Sequence, residues 1–298
     1  MTILIVGTTG QIAAPVFRHL HRDGVPVRSF SRDAARTAAT LGPVSAPGTG
    51  GPEILEGSFT DPRALDHAFD GVDRVLLSMW PMAPEQQAAQ RAVIDAAARA
   101  AIAQLVRISV LSAAHGALGA IQRSHAVLDD YLTASGVPHS TLRPAVFDST
   151  LVAQTAPSVR ATGSWTGSAP AGRIPFIDPM DVSRSALAVL TSPETWHGDR
   201  DLTGPELLSY PDVARILAAT LGTGVRYEPR PADDLRALLR GQGQPGPAIE
   251  VALARDAATE AGENEHLSGH VERLTGRRPA PLAEYLRQHK AAYEVPGL

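Results

Sequence analysis

Short apolar runs alternate with longer amphipathic stretches along the first half of the chain. Residues 3–6 read ILIV, a continuous apolar run that is typical of a buried strand in a parallel sheet. Further strands are predicted at residues 25–30, 53–58, 72–79, 104–111 and 139–147, and helices at residues 11–24, 61–71, 83–101 and 124–136. Strands separated by such helices lie parallel, because each helix carries the chain back across the sheet. The pattern therefore predicts an α/β fold, a doubly wound parallel sheet of the Rossmann type.

The regular alternation loosens after residue 148. Residues 158–178 are rich in Gly, Ser and Pro, and the pattern predicts no regular element there. A helix at 179–192 and a strand at 198–204 are expected to return to the sheet, and an amphipathic helix follows at 209–222. We interpret the chain as a dinucleotide-binding domain at 1–148, joined by 178–205, and a smaller C-terminal substrate-binding region formed by 149–177 and 206–298.

The amino-acid composition excludes several classes of protein and of site. The chain has 298 residues, of which 44% are hydrophobic and 19% charged, so it can bury a sizeable core. The net charge of -4 argues against nucleic acid as a partner, because phosphate binding needs a basic surface. The sequence has no cysteine, which excludes disulfides, thiolate catalysis and cysteine zinc sites. Histidines and carboxylates show no metal-ligand spacing, so no metal site is expected.

The N-terminus begins directly with an apolar strand-like run and carries no basic segment before it. Apolar runs are all much shorter than the length needed to span a bilayer. We therefore expect a cytoplasmic protein that acts on a small molecule and uses no membrane. The sequence leaves its oligomeric state open.

A glycine pattern follows the first predicted strand. Gly7, Gly10 and Ala13 form G-x-x-G-x-x-A between that strand and the first helix. The first glycine permits a sharp turn, the second lets the backbone approach a pyrophosphate, and the small third residue lets helix and strand pack closely. Backbone N–H groups and the helix dipole would hold the pyrophosphate. The alternative is a tight turn without a ligand.

The end of the second predicted strand bears on which dinucleotide is bound. NAD-preferring folds place an acidic residue there to bind the ribose 2′-hydroxyl. This chain reads VRSFSRD, in which Arg28, Ser31 and Arg32 could meet a 2′-phosphate and Asp33 is the only acid. Because guanidinium groups match phosphate geometry, we predict NADP(H) as the cofactor. The alternative is that both arginines are solvated surface charges.

Several segments together carry a resemblance to a known family. They read ILIVGTTGQIAAPVFRHLHRDGVPVRSFSRD, GVDRVLLSMWP, LVRISVL, LTASGVPHSTLRPAVF, IPFIDPMDVSRSALAVL and LTGPELLSYPDVARILAATLG. Over most of its length the chain resembles the NmrA-like atypical short-chain dehydrogenase/reductases. The resemblance implies a Rossmann domain that binds NADP(H), with a smaller C-terminal region over the substrate cleft. Members of the family include NADPH-dependent quinone and isoflavone reductases, biosynthetic enzymes and catalytically silent redox sensors.

The resemblance also implies cofactor contacts at particular residues. It places Gly7, Thr8, Thr9, Gly10, Gln11 and Ile12 at the pyrophosphate, Arg32 near the 2′-phosphate, Ser78, Met79 and Trp80 near a ribose, and Ser109, Val110, Pro144, Ala145 and Val146 around the nicotinamide. One position departs from the pattern. Many relatives have an aspartate close to the adenine where this chain has Ser58, which leaves that one contact in doubt.

The usual catalytic pair of short-chain dehydrogenases is Tyr-x-x-x-Lys. The corresponding helix here reads IQRSHAVLDDYL, so that His125 falls at the lysine position and Ile121 at the tyrosine position. The pair occurs nowhere in the sequence. His125 could orient the ribose or donate a proton near neutral pH, or be a contact without a proton role. We predict His125 and Ser109 as the catalytic residues, with Ser109 hydrogen-bonded to a substrate carbonyl.

Aromatic residues are expected around the substrate. Trp80, Phe147 and Trp165 are predicted to line the cleft together with Ser112, which would favour a planar, aromatic or polyketide-like substrate. The same aromatic residues could instead belong to the core, and Ser112 could be satisfied by the backbone at a strand end.

Three functions are compatible with these residues. The first is an NADPH-dependent oxidoreductase that acts on a quinone, an enone or a similar planar carbonyl compound, with a place in secondary metabolism. Hydride transfer to such acceptors needs little help from a positioned acid. The second is a catalytically silent NADP(H)-binding redox sensor or regulator, which the missing Tyr–Lys pair favours. The third is a biosynthetic isomerase, cyclase or dehydratase on the same fold.

Overall fold

A computed structural model describes residues 1–42 and 52–294. Seven parallel strands form the main sheet: β1 (Ile3–Val6), β2 (Val27–Ser31), β3 (Glu53–Glu56), β4 (Arg74–Leu77), β5 (Gln104–Ile108), β6 (His139–Pro144) and β9 (Gly198–Leu202). Their spatial order is β3-β2-β1-β4-β5-β6-β9. The order reverses direction at β1, between β2 and β4, which is where such sheets bind nucleotides. The predicted Rossmann fold is confirmed. The Gly/Pro-rich loop before β3 lies largely outside the described residues.

Helices cover both faces of this sheet. They are α1 (Ala13–Arg22), α2 (Ala34–Leu41), α3 (Pro62–Phe69), α4 (Pro84–Arg99), α5 (Ala120–Ala134) and α7 (Pro179–Thr191). Side chains alternate along β1, so Ile3 and Ile5 pack with α1 and α7 while Leu4 and Val6 pack with α3 and α4. The alternation gives the domain two separate hydrophobic cores, one on each face of the sheet.

The C-terminal region has a core of its own. Its elements are α6 (Asp148–Thr162), β7 (Ser164–Gly167), β8 (Arg173–Ile174), β10 (Leu208–Ser209), α8 (Tyr210–Leu221), β11 (Arg226–Pro229), α9 (Ala232–Gly241), α10 (Gly246–Glu260), α11 (His270–Thr275), α12 (Leu282–Gln288) and a 3₁₀ turn at Lys290–Tyr293. Strand β7 pairs in parallel with β11, and β8 pairs antiparallel with β10. Helix α6 joins this core through Leu151, Ala156 and Val159.

Helix α6 departs from the sequence-based expectation, which recognised no helix directly after residue 148. Pro157 lies inside this helix and its polar residues obscure the apolar face, so the 3.6-residue period is weak. The chain forms the helix because Leu151 and Val159 pack into the C-terminal core. The segment 198–202, by contrast, lies beside β6 as the seventh strand of the large sheet, as its pattern predicts.

A buried arginine ties two layers together. Arg74 is 7% exposed, and its Nη1 atom donates to the carbonyls of Leu190 at 2.8 Å and Ser192 at 2.7 Å. These carbonyls belong to the last turn of α7 and the residue that follows it, where a helix leaves its acceptors unpaired. The guanidinium therefore caps α7 and fixes it against β4.

Within residues 1–42 and 52–294, no helix combines the length and apolarity that a membrane crossing requires. The same two stretches bring no three His, Asp or Glu side chains together in the geometry of a metal site.

Candidate functional site

A cavity of about 350 Å³ opens at the carboxyl ends of β1, β4, β5 and β6. This size suits a small organic ligand. One wall is made by the loop after β1 and the ends of the three other strands, and the opposite wall by α5, α6 and α10. Of the predicted site residues, the cavity brings together Gly10, Gln11, Ile12, Ser78, Met79, Trp80, Ser109, Val110, His125, Pro144, Val146 and Phe147.

The glycine loop is shaped by a close backbone approach. Gly7 has a φ of +90°, and a Cβ atom built on it would lie 1.9 Å from the carbonyl oxygen of Ser78. The N–H of Gly10 donates to the carbonyl of Gly7 at 2.9 Å, which closes the turn. Helix α1 then begins after Ile12, whose side chain offers no cap to the first N–H groups. A loop with free helix N–H groups and no intruding side chain fits a pyrophosphate.

The two threonines of the loop differ. Thr8 is buried, and its hydroxyl is 3.2 Å from the Ile5 carbonyl and 2.6 Å from the Ser29 hydroxyl. Its side chain therefore braces the loop against β1 and β2, and only its backbone can face a ligand. Thr9 is exposed on the outer side of the turn.

The two arginines predicted to bind the cofactor lie at different places relative to β2: Arg28 lies within the strand and Arg32 follows its last residue. Arg32 follows the last residue of β2 and is exposed, and Asp33 beside it caps α2 by accepting from Arg36 N–H at 2.8 Å. Ser31 closes the strand and donates to the carbonyl of Asp33. Arg32 therefore stands where the sequence analysis expected a 2′-phosphate contact.

Arg28 lies elsewhere, which corrects its assignment. It occupies the second position of β2, three residues before the carboxyl end. Its Nε donates to Glu53 at 2.8 Å, and its Nη1 donates to the carbonyls of Ala68 and Asp70 at 3.0 and 2.9 Å. The guanidinium joins β2, β3 and α3, so it does not reach the edge where the cofactor is expected.

Ser109 is a hydrogen-bond donor to the protein itself. Its hydroxyl is 1% exposed and donates to Oδ2 of Asp129 at 2.9 Å. Because a carboxylate only accepts, the hydroxyl proton is committed to that bond, and Ser109 can offer a ligand only an acceptor. This corrects its expected role as a donor to a substrate carbonyl.

A buried ionic network lies behind Ser109. Arg107, the fourth of the five residues of β5, has no exposed surface and pairs with Oδ1 of Asp129 on α5. Arg143 on β6 is 3.1 Å from Oδ2 of Asp129 and 2.8 Å from Asp199. Burial raises the pKa of the Asp129 carboxyl, while the guanidinium groups of Arg107 and Arg143 act in the opposite direction. The network balances its charges, as buried ions must.

His125 lines the cavity and is 2% exposed. Its Nδ1 atom is 3.2 Å from Nη2 of Arg107, and the ring of Trp80 stands edge-on to it at a centroid distance of 6.1 Å. Burial and the positive charge of Arg107 lower the pKa of His125 well below its usual range. Both effects favour the neutral imidazole, which argues against the expected role of His125 as a proton donor.

The aromatic residues separate into two groups. Trp80, which is 51% exposed, and Phe147, which is half-buried, both line the cavity. Trp165 is 6% exposed and packs on Tyr210 and Tyr227 inside the C-terminal core. Its assignment to the pocket is corrected, because β7 points the indole away from the sheet edge and into that core.

The predicted assignment of Ser112 to the substrate pocket is also wrong. Its hydroxyl donates to the carbonyl of Glu263 at 2.6 Å, and it does not line the cavity. The carboxylate of the same Glu263 accepts from the N–H of Leu118 at 3.0 Å. The loop after β5 is thereby fastened to the loop after α10, which closes the far side of the cavity.

Most of the cavity wall contributed by helices was not predicted from the sequence. These residues are Ile121 and Gln122 on α5, Thr150 and Gln154 on α6, and Val251, Arg255 and Asn264 on or just after α10. Ile121 and Gln122 could have been found, since they stand one turn before His125 on the same helix. The residues of α6 and α10 carry no such local signal.

The sequence profile of the NmrA-like family matches residues 1–282. The chain belongs to the NmrA-like family. Among its relatives, an NAD(P)H azoreductase from Xenophilus azovorans is 29% identical over 98% of this chain and 99% of that protein. An agroclavine dehydrogenase from Claviceps fusiformis is 30% identical over 97% of this chain and 98% of that protein.

Solved structures share the architecture. The NADPH-dependent quinone oxidoreductase of Escherichia coli, solved as a complex with NADPH, superposes with a TM-score of 0.87 at 23% identity. The superposition covers 97% of this chain and 100% of that one. At this level of identity the likeness establishes the common fold.

Proposed function

We propose that this member of the NmrA-like family is an NADPH-dependent oxidoreductase that reduces a quinone, an enone or a similar planar carbonyl compound. The observation that carries the proposal is the cavity, which joins the glycine loop to a mainly apolar chamber walled by Trp80, Phe147 and His125. The names of the azoreductase and agroclavine dehydrogenase relatives, both redox enzymes, support the same reaction class.

The residues of this chain fit NADP(H) at both ends of the cofactor. The glycines of the loop from Gly7 to Ile12 would let the backbone approach a pyrophosphate, and the uncapped N-terminus of α1 follows the loop. Arg32, exposed at the end of β2, would hold the 2′-phosphate. At the other end, Ser109 would accept a hydrogen bond from the nicotinamide carboxamide, because its own proton is already donated to Asp129.

Bound NADPH supplies a hydride, and the protein has to manage the charge that then develops on the substrate oxygen. His125 is neutral, so its ring can donate a hydrogen bond to that oxygen without giving up its proton. The proton that completes the reduction then comes from water. Such a site suits a quinone or enone, whose reduced oxygen is a weak enough base to be protonated late.

The direct test is NADPH oxidation, followed by absorbance, with a panel of quinones, enones, azo compounds and simple ketones. We expect turnover with the conjugated acceptors and little with simple ketones, which need a stronger acid. Tight NADPH binding with no oxidation on any acceptor would instead favour a redox sensor. Product formation without net use of NADPH would favour an isomerase, cyclase or dehydratase.

A further inference from the structure

The guanidinium of Arg107 contacts two groups of different chemistry. Its Nη1 pairs with the carboxylate of Asp129, whereas its Nη2 lies 3.2 Å from a ring nitrogen of His125. A guanidinium carries only N–H donors and has no acceptor. The nitrogen that faces it, Nδ1 of His125, must therefore accept through its lone pair.

This contact determines where the imidazole proton lies. A neutral imidazole has one N–H, and with Nδ1 accepting from Arg107 the proton has to reside on Nε2. Protonation of Nδ1 would set an N–H against an N–H at 3.2 Å and two positive charges beside one another. The same geometry therefore disfavours both the other tautomer and the imidazolium.

The Nε2 atom is buried and has no hydrogen-bond partner among the described residues. A buried donor that stays unpaired costs free energy, and a ligand oxygen in the cavity would remove that cost. His125 lines the cavity one turn after Ile121, opposite the ends of β4 and β6. A ligand in the cavity would therefore be adjacent to the histidine that carries the unpaired donor.

We propose that Arg107 is a positioning residue that holds His125 in the Nε2-protonated tautomer, so that the ring presents a hydrogen-bond donor to the oxygen of the bound substrate. Arg107 does not itself line the cavity. The identity of the acceptor rests on the proposed function, whereas the tautomer rests on the contact between Arg107 and His125 alone.

The surroundings of His125 keep this state constant with pH. The groups that face it are Arg107 from β5, Asp129 one turn further along α5 and Trp80 from the loop after β4, with Arg143 from β6 behind Asp129. Since Asp129 is occupied by two guanidinium groups and Ser109, no carboxylate is left to stabilise an imidazolium. The His125 donor is therefore available across the neutral pH range.

The tautomer can be read directly in the unmodified protein. Long-range ¹H–¹⁵N correlation spectra of ¹⁵N-histidine-labelled protein distinguish a protonated ring nitrogen from an unprotonated one. His125 is assigned among the 10 histidines by the signal that disappears in His125→Gln. We expect a protonated Nε2 and an unprotonated Nδ1, unchanged between about pH 6 and about pH 8. A protonated Nδ1, a tautomer mixture or an imidazolium in this range would overturn the proposal.

Variants test the part played by Arg107. In Arg107→Met we expect the His125 signals to show both tautomers and kcat to fall ~100-fold with a smaller change in KM, because the donor acts on the transition state. Arg107→Lys keeps a donor and should retain the tautomer. His125→Gln keeps an N–H donor and should keep more activity than His125→Phe.

A matched control distinguishes the effect of Arg107 on His125 from the loss of stability that follows when any buried arginine is removed. Arg74 is also a buried arginine, but it contacts α7 and not His125. Arg74→Met should lower the melting temperature and leave the His125 tautomer unchanged. An Nε2-protonated His125 with full kcat in Arg107→Met would overturn the role of Arg107. If no acceptor is ever reduced, the proposed function fails, yet the spectra still decide the tautomer.

Discussion

Gly7 lies so close to the carbonyl of Ser78 that position 7 has no room for a methyl group. The ideal Cβ position is 1.9 Å from the Ser78 oxygen, and the φ of +90° is itself unfavourable for any residue with a side chain. We expect Gly7→Ala to reduce the free energy of unfolding by about 2–4 kcal/mol and to weaken NADPH binding at least ~10-fold.

The measurements for Gly7→Ala are thermal unfolding and NADPH titration. Gly116→Ala is the matched control, because a Cβ atom at Gly116 would meet nothing within 4 Å. Equal NADPH affinity in Gly7→Ala and the unmodified protein would show that the pyrophosphate does not lie on this loop.

Substitutions of Arg32 and Arg28 should have different effects, the first on cofactor preference and the second on stability. Arg32→Gln is expected to lower the preference for NADPH over NADH by about tenfold or more, since it removes a charged partner of the 2′-phosphate. Arg28→Gln should leave that preference intact and lower stability, because it breaks the contacts to Glu53 and two carbonyls. Dissociation constants for both cofactors decide the matter, and a preference changed only by Arg28→Gln would reverse our assignment.

Asp148 makes folding stability depend on pH. Its carboxyl is fully buried, neither oxygen has a partner among the described residues, and burial, reinforced by Asp178, Asp181 and Glu206, raises its pKa to about 8. In the unfolded chain the pKa of this carboxyl returns to its usual value of 3.8. Between these values the native state retains a proton that the unfolded state has lost, so stability falls as the pH rises towards about 8.

We therefore expect Asp148→Asn to be more stable than the unmodified protein at about pH 8, by an amount on the order of a few kcal/mol that shrinks towards about pH 4. Urea unfolding of both proteins over this range measures the difference. Asp234→Asn, an exposed position, serves as the control and should show no such trend. A constant difference across the range would mean that Asp148 does not retain its proton.

Trp80 should report on the cavity by fluorescence. It is half exposed on the cavity wall, whereas Trp165 is enclosed in the C-terminal core. We expect NADPH or a quinone to quench the emission of the unmodified protein, and the quenching to be lost in Trp80→Phe but kept in Trp165→Phe. Because an aromatic ring against a planar substrate contributes about 1 kcal/mol, Trp80→Phe should lower kcat/KM less than tenfold. Quenching that survives in Trp80→Phe would place the ligand away from this side chain.

Features that depend on short stretches of sequence were predictable. The turn at Gly7 and Gly10, the start of α1 and the cap at Asp33 all follow from neighbours within a few residues. The parallel order of the strands follows from the helices between them. These local signals were enough for the Rossmann fold and for the position of the glycine loop at the end of β1.

Features that depend on strand ends and on distant contacts were not predictable. Arg28 and Arg32 look alike in the sequence, and only the end of β2 at Ser31 tells them apart. Trp165 is placed by its contacts with Tyr210 and Tyr227, far along the chain. The buried ion pair of Arg107 could have been expected in part, because a single charged residue within the apolar run LVRISV needs a buried partner. That its partners are Asp129 and His125 emerges only once β5 packs against α5.

The hydrogen bonds that Glu263 forms with Ser112 and Leu118 connect two walls of different origin. One wall carries the glycine loop and the strand ends, and the other is formed by α5, α6 and α10. Arg255 on α10 pairs with Asp256 and has no hydrogen bond to the glycine loop or to His125 among the described residues. Substitutions at Val251 and Arg255 on α10 are therefore expected to change the shape of the cavity without breaking a hydrogen bond of the glycine loop or of His125. If the cavity holds the substrate as proposed, α10 is a place where substrate choice can change while the loop proposed to hold the cofactor keeps its contacts.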